Sequence, residues 1–420
     1  PASTDSPKAQ RLLVPGENCW RIERANRLAV IVDAADYFAA VKSSILQARR
    51  RVFLIGWDFD TRIRLDPDQR KTGGPDRLGR FLNWVVAERP ELEVFVLKWD
   101  LGMVAAFGRG TTPLFILDWM TDKRMHLKLD GAHPIASAHH QKIVVIDDSV
   151  AFCGGIDITA ERWDTRDHLD HDPHRKWPTT RLSYGPWHDA TTAVDGDVAR
   201  ALGELARDRW KRAKGEELDP PAPLGDPWPK DVRPTFENVD VAIARSIPAY
   251  EGQEEVREIE ALYLSAIGRA ERTIYIESQY FASRRIAEAM AARLGEPDGP
   301  EIVVVNPQSA YGWLEEESMS SARARLIRMI EAVDHRCRFR IYNPMTEGGR
   351  PIYVHAKIMV VDDWLLRVGS SNLNNRSMGF DTECDLAVEA APGAAEAEIR
   401  RKIAAFRDDL LAEHLGAPCE

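Results

Sequence analysis

Little in this chain marks a redox compartment or a membrane span. Its five cysteines (Cys19, Cys153, Cys337, Cys384 and Cys419) are scattered, odd in number and without a C-x-x-C. They indicate neither a disulfide framework nor a zinc site. Cys153, in the apolar run Val150-Ala-Phe-Cys153, reads as a small buried hydrophobe. No stretch approaches the roughly 20 apolar residues that a membrane-spanning helix needs. The first residues, Pro1 to Lys8, lack the apolar core of a signal peptide. Positive charge is also short: the net charge of −10 weighs against generic nucleic-acid binding, which runs on Lys and Arg, although it leaves room for a local basic cleft. What remains is an ordinary globular composition, 44% hydrophobic and 8% aromatic, in 420 residues, long enough for two domains or one large duplicated one. A cytoplasmic or peripheral, monomeric protein is expected. Secretion stays open, because a removed signal peptide leaves no trace.

What is present is a pattern that occurs twice. His140-Gln-Lys142-Ile-Val-Val-Ile-Asp147 is followed by Gly154-Gly155-Ile-Asp157, and His355-Ala-Lys357-Ile-Met-Val-Val-Asp362 by Gly369-Ser370-Ser-Asn372, after the same interval. The copies lie 215 positions apart and also match Ile143 with Ile358, Val145 with Val360 and Asp148 with Asp363. One such pattern arises easily by chance; two copies with matched glycines do not.

The surrounding pattern is β-α-β in both halves. Leu28 to Val32 reads as a strand, Ala35 to Arg51 as an amphipathic helix, and Val52 to Ile55 and Leu92 to Leu97 as further strands. Residues 214 to 234 hold Pro220, Pro221, Pro223, Pro227, Pro229 and Pro234 and read as a linker. Beyond it the pattern restarts: a helix at 254–270, a strand at 273–276, a helix at 284–294, a strand at 302–305, a helix at 319–333 and a strand at 339–342. The expected architecture is α/β, with residues 1–213 and 235–420 as two halves that each carry one motif. The period is too long for a solenoid, so this is duplication of a domain.

The motif segments read as strands, so His140 and Lys142 project to one side, as do His355 and Lys357. Asp147-Asp148 and Asp362-Asp363 read as tight turns into the next strand. Neither copy holds a complete acid–base pair, but two copies face to face would. Cleaving a phosphodiester requires neutralising the non-bridging oxygens, supplying a nucleophile and protonating the leaving alkoxide. Lys142 and Lys357 suit the first task, with Ser370 and Asn372 as neutral donors. A neutral histidine suits the second and a protonated one the third, because imidazole titrates at about 6.5. His140 is taken as nucleophile and His355 as general acid; sequence leaves the reverse open. This chemistry needs no metal or other cofactor, and no carboxylate cluster at magnesium-ligand spacing lies beside these strands.

These residues resemble the phospholipase D superfamily, whose mark is the duplicated H-K-D motif. Gly56-Trp57, Arg162-Trp163-Asp164, Pro186-Trp187-His188-Asp189, Arg209-Trp210, Glu277-Ser-Gln279-Tyr280-Phe281 and Asn374-Asn-Arg376 extend the likeness to the eukaryotic phospholipases D, from about Leu12 to Glu389. The run Arg376 to Ala387, with Glu383 and Asp385, is closer to the bacterial cardiolipin-synthase branch. The resemblance implies a duplicated α/β/α sandwich of two pseudo-twofold halves with mixed sheets and one site between them. It implies a phosphohistidine intermediate, a phospholipid substrate at a membrane surface, and the products phosphatidic acid and head-group alcohol, with transfer to other alcohols as a side reaction. A cardiolipin-synthase-type transferase and a nuclease on the same fold are the alternatives.

The resemblance also implies crossed carboxylate partners for the histidines, Glu383 for His140 and Asp164 for His355. Asp157, where the second copy has Asn372, is given an orienting role; Asp147, Asp362 and Gly155 support. Glu277, Gln279, Trp187 and His188 are placed at the substrate. The acidic, histidine-rich segment Asp164 to His174 reads as a solvated loop over the cleft in preference to a metal site. His126, His133, His335 and His414 carry no functional expectation, and His139 points to the opposite strand face. Leu101 to Met120 and Tyr311-Gly-Trp313-Leu are candidate interfacial loops or core segments.

Overall fold

The computed structural model describes residues 11–67, 73–100, 122–222, 224–309 and 313–417. Leu101 to Met120 and Tyr311-Gly312 fall outside the described residues. Among the described residues the first half lays seven strands in the main sheet: β1 (Arg21–Val32), β2 (Arg51–Gly56), β3 (Glu93–Trp99), β4 (Met125–Asp130), β5 (Ile143–Ile146), β6 (Val150–Gly154) and β7 (Ala190–Asp195). The second half lays β8 (Phe236–Ile247), β9 (Thr273–Glu277), β10 (Glu301–Val305), β11 (Phe339–Tyr342), β12 (Ile358–Val361), β13 (Leu365–Gly369) and β14 (Glu383–Glu389).

Their spatial order is β4-β3-β2-β5-β6-β7-β1 in one half and β11-β10-β9-β12-β13-β14-β8 in the other. Each strand thus has its counterpart in the same place. In each half the outer three strands run parallel and the rest pair antiparallel, so the sheet is mixed. The halves join where β1 pairs antiparallel with β8, Arg21 against Ile243 and Leu28 against Phe236. One continuous sheet results, to which the two-residue strand Val256–Arg257 is added alongside β8. β1 begins seven residues earlier than its apolar run, because this joint hides backbone that polar residues such as Arg21 and Glu23 gave no reason to call strand.

The described residues hold seven helices: α1 (Ala34–Ile45), α2 (Leu78–Glu88), α3 (Gly196–Arg212), α4 (Glu258–Arg269), α5 (Arg284–Gly295), α6 (Trp313–Glu331) and α7 (Glu396–Leu415). Parallel neighbours need such crossovers. α1 and α2 cover one face of the first half through Phe38, Phe81 and Val85. α4 and α5 cover the same layer of the second through Leu262 and Met290. α3 and α7 share the opposite face, where Leu202, Trp210, Phe406 and Leu410 pack on both halves. This is an α/β/α sandwich. Residues 214–234 carry neither helix nor strand among those described. No helix among the described residues is long and apolar enough to cross a membrane.

Candidate active site

The motif strands proper begin at Ile143 and Ile358. His140, Lys142, His355 and Lys357 stand just before them, in extended backbone that has left the sheet for the seam between halves. Each histidine is held there by the other half. The His140 amide donates to the Thr382 carbonyl at 2.9 Å, and the His355 amide to the His188 carbonyl at 2.7 Å. Tyr353–Val354 also pairs in parallel with Trp187–His188.

Side chains cross the seam in the same way. His140 Nδ1 lies 3.0 Å from Glu383 Oε2 and 3.1 Å from the Ser370 carbonyl. His355 Nδ1 lies 2.6 Å from Asp189 Oδ2. Both rings therefore have Nδ1 engaged and Nε2 left to face the cleft. Burial, reinforced by Lys142 and Lys357, holds His140 well below the usual histidine value. Burial and Lys357 do the same to His355, against the pull of Asp189. Both rings are thereby biased toward the neutral form in the substrate-free cleft.

Their carboxylates differ. Burial pushes Glu383 up to about 8, although the Ser370 and Ser377 hydroxyls and Lys142 oppose it. Burial acts on Asp189 too, but His355 and Lys357 beside it hold the carboxyl far below the ordinary range. Burial also lowers Lys357 to about 7, with Lys142 adding repulsion and Asp189 working against both.

His140 and His355 line one cavity of about 250 Å³ together with Asp157, Asn372, Arg162, Asp381 and Arg376. Its walls are aromatic: Trp57 stacks on Trp99 at 5.8 Å, and Trp187 on Tyr353 at 4.5 Å. Lys142 Nζ sits 3.2 Å from Asp157 Oδ2 and donates to the His140 carbonyl at 2.9 Å. Asp157 also accepts the Trp57 amide at 2.9 Å, so one oxygen faces the lysine and the other is fixed to the backbone. Lys357 Nζ lies 2.8 Å from His355 Nδ1. The buried Asn372 amide oxygen has no hydrogen-bond partner.

The motif aspartates lie at the far end of their strands. Asp147 accepts the amides of Arg49, Arg50 and Arg51, and Asp362 those of Glu271, Arg272 and Thr273, at 2.5–2.8 Å. Each therefore pins the start of the neighbouring strand, β2 or β9. Asp147-Asp148 and Asp362-Asp363 take positive φ (50° and 50°, 46° and 59°), the twin left-handed residues of a type I′ turn. Gly155 is required because a Cβ there would stand 2.3 Å from Asp189 Oδ1.

Four expected roles need correction. Asp164 does not back His355. It is fully buried and accepts from His168, Arg175 and the Trp187 amide, at 3.1, 3.0 and 2.8 Å. Ser370 does not face the substrate, for its hydroxyl donates to Glu383 at 2.5 Å and is buried. Glu277 and His188 are not at the substrate either; both are fully buried and bond each other at 2.8 Å behind the cleft. Gln279 and Trp187 do line the cavity. Nor is Asp164 to His174 wholly a solvated loop, since Asp164 and His168 are buried.

The carboxylate partner of His355 that the sequence reading missed is Asp189. A signal for it exists: setting Ala193-Val194 against Ala387-Val388 aligns Asp189 with Glu383. The sheet register agrees, with Thr191 opposite Gly154 and Asp385 opposite Gly369. Arg162, Trp57, Trp99, Tyr280 and Tyr353 were likewise given no role at the cavity they line.

Residues 117–222 match the family model described as phospholipase D, and residues 263–405 the one described as cardiolipin synthase, phospholipase D-like domain. The chain is 24% identical over 464 residues to phospholipase D A of Dictyostelium discoideum, across 92% of this chain and 35% of that protein. It is 25% identical over 515 residues to phospholipase D alpha 1 of Cynara cardunculus, across 89% of this chain and 63% of that one. The chain thus spans less than two thirds of these relatives. Its fold is similar to that of a phosphatidylserine synthase from Haemophilus influenzae, with a TM-score of 0.60 at 12% identity, over 94% of this chain and 88% of that one.

Proposed function

This chain belongs to the phospholipase D superfamily, and from that premise we propose that it cleaves the distal phosphodiester of glycerophospholipids, giving phosphatidic acid and the head-group alcohol. The observation that carries this reading is the meeting of two histidines, one from each half, at a single cavity, each with Nδ1 tied to a carboxylate across the seam and its motif lysine buried beside it.

The phosphate of the lipid lies between Lys142 and Lys357, whose charge offsets its non-bridging oxygens. His140 Nε2 attacks phosphorus as the bond to the head-group oxygen breaks, and His355 Nε2–H gives that oxygen its proton. Arrival of the anion offsets the Lys357 repulsion that, together with burial, disfavours charge on His355, and the ionised Asp189 stabilises the resulting imidazolium. In the second step His355 takes a proton from water, whose oxygen attacks phosphorus while His140 leaves as a neutral ring. An alcohol in place of water gives a phosphatidyl ester, so transfer competes with hydrolysis. The aromatic walls suit an ammonium head group, which the faces of Trp and Tyr attract.

A second reading is phosphatidyl transfer of the cardiolipin-synthase type, favoured by the match of residues 263–405. Mass spectrometry of products from vesicles of phosphatidylcholine, phosphatidylethanolamine and phosphatidylglycerol, with ethanol added, separates the two. Phosphatidic acid and phosphatidylethanol are expected. Cardiolipin and glycerol from phosphatidylglycerol would favour the second reading, and no lipid product at all would sink both.

A further inference from the structure

Behind the cleft, away from any proposed substrate contact, lies a buried group of histidines and carboxylates. We propose that Asp33, His168, His188 and Glu413 bind one divalent metal ion of the zinc type, as a structural site that holds Asp189 in place. The four residues come from the end of β1, the segment before β7 and the last turns of α7, so the ion would tie the C-terminal helix to the first half.

The geometry supports it. The donor atoms all lie within 4.8 Å of one another. His168 Nε2 is 3.1 Å from Glu413 Oε1 and 3.5 Å from Asp33 Oδ2. His188 Nδ1 is 2.9 Å from Glu413 Oε1 and 3.5 Å from Asp33 Oδ1. A tetrahedral zinc site with arms of about 2.0–2.1 Å has edges of about 3.3 Å, in the middle of that range. Asp33, His168 and His188 are no more than 3% exposed. Two polar atoms within the group, Asp33 Oδ2 and His188 Nδ1, have no hydrogen-bond partner. The 2.9 Å approach of His188 Nδ1 to Glu413 is thus close but misaligned for a hydrogen bond, as for two ligands of one ion.

Each ligand also has an outer partner of the kind metal ligands use. His168 Nδ1 lies 3.1 Å from Asp164, and His188 Nε2 lies 2.8 Å from Glu277. Glu413 Oε2 takes Arg166 at 2.5 Å, and Asp33 Oδ1 accepts the Asp189 amide at 3.0 Å. Arg175 pairs with Asp164 and Arg166 with Glu413, whereas Asp33 has no cationic Lys or Arg partner among the described residues and meets only the two imidazoles. Asp33 and Asp189 are joined by two backbone-anchored bonds, so the ion would act on His355 only through Asp189.

Elemental analysis of the purified full chain, after incubation with zinc and exhaustive dialysis, tests this. The expected result is about one equivalent of zinc per chain, and a cobalt-exchanged protein with the intense visible bands of a tetrahedral site. His168→Ala and His188→Ala should each lose the ion, with His126→Ala, an imidazole outside the group, retaining it. A folded wild-type chain holding under about a tenth of an equivalent would overturn the proposal, because sites of this type bind far more tightly than dialysis can strip. So would retention of the ion by both histidine variants. Lipid cleavage is measured separately on the same wild-type sample, so loss of one reading leaves the other standing.

Discussion

In the first half, the position after the motif glycine is Gly155, and the carboxylate standing over it is Asp189. In the second half the same position is Ser370 and the carboxylate is Glu383. Gly155 leaves room for Asp189, and His355 and Lys357 beside it outweigh burial and hold the carboxyl low. Ser370 and Ser377 donate hydroxyls to Glu383 at 2.5 and 2.7 Å, which favours its charged form, but burial outweighs them and keeps its proton on. Because the partners cross the seam, His355 receives the ionised carboxylate and His140 the protonatable one. His140 is also the more open ring, 17% exposed in its side chain against 6%. Two strand orders that correspond strand for strand thus deliver two unequal imidazoles. A fixed anion behind His355 favours its charged, acid form, whereas His140 is better suited to attack as a neutral ring.

The comparison breaks first at the rings. His140→Asn and His355→Asn should each lower kcat for lipid cleavage by about a thousandfold or more, since each removes a group that bonds to reacting atoms. Equal, modest losses would argue against a shared phosphorus. Next come the partners: Asp189→Asn should cost about a hundredfold in kcat and Glu383→Gln about tenfold, because only the first removes a charge from behind the acid. The reverse ranking would invert the assignment of roles.

The charge on Lys357 sets the pH dependence. With its value near 7 in the empty cleft, kcat/KM should fall as pH rises through about 7, and Lys357→Arg should move that limb upward even as it lowers the rate. The carboxylates also predict opposite trends in stability. Folded Glu383 keeps its proton to about 8, whereas an unfolded glutamate releases it near 4.5. The folded state therefore binds more protons in that window, and this group's contribution falls as pH rises through it. Glu383→Gln should flatten the melting temperature between about pH 5 and 8. Asp189, held low, contributes stability that is complete above the ordinary carboxylate value and lost only on acidification. The smallest difference is expected where the halves are alike. Asp147→Asn and Asp362→Asn should each cost about 1–3 kcal/mol of stability, by similar amounts, with little change in KM, because each carboxylate only collects three strand amides.

The repeat made much of this visible in the sequence. Matched apolar positions around Ile143 and Ile358 imply matched strands, and matched strands imply a seam at which His140 and His355 can meet. The crossed pairing of Glu383 with His140 was also legible from the resemblance. Asp189 was not, because a longer segment separates it from its motif than separates Glu383 from its own, and counting forward reaches Asp164 first. The directions of Ser370, Glu277 and His188 depend on contacts between halves, which no local spacing encodes. The buried part of the acidic, histidine-rich segment was hidden for the same reason: His168 meets Asp33 and Glu413 only after three distant parts of the chain are assembled.

The unequal roles of the two rings are tested most directly by trapping the covalent intermediate. A short-chain phosphatidylcholine would be mixed with wild type, His140→Asn and His355→Asn, quenched at high pH, and the intact chains and their peptides weighed by mass spectrometry. One phosphatidyl group on His140 is expected, accumulating in His355→Asn and absent from His140→Asn. A phosphatidyl group carried by the His140→Asn chain would contradict the account.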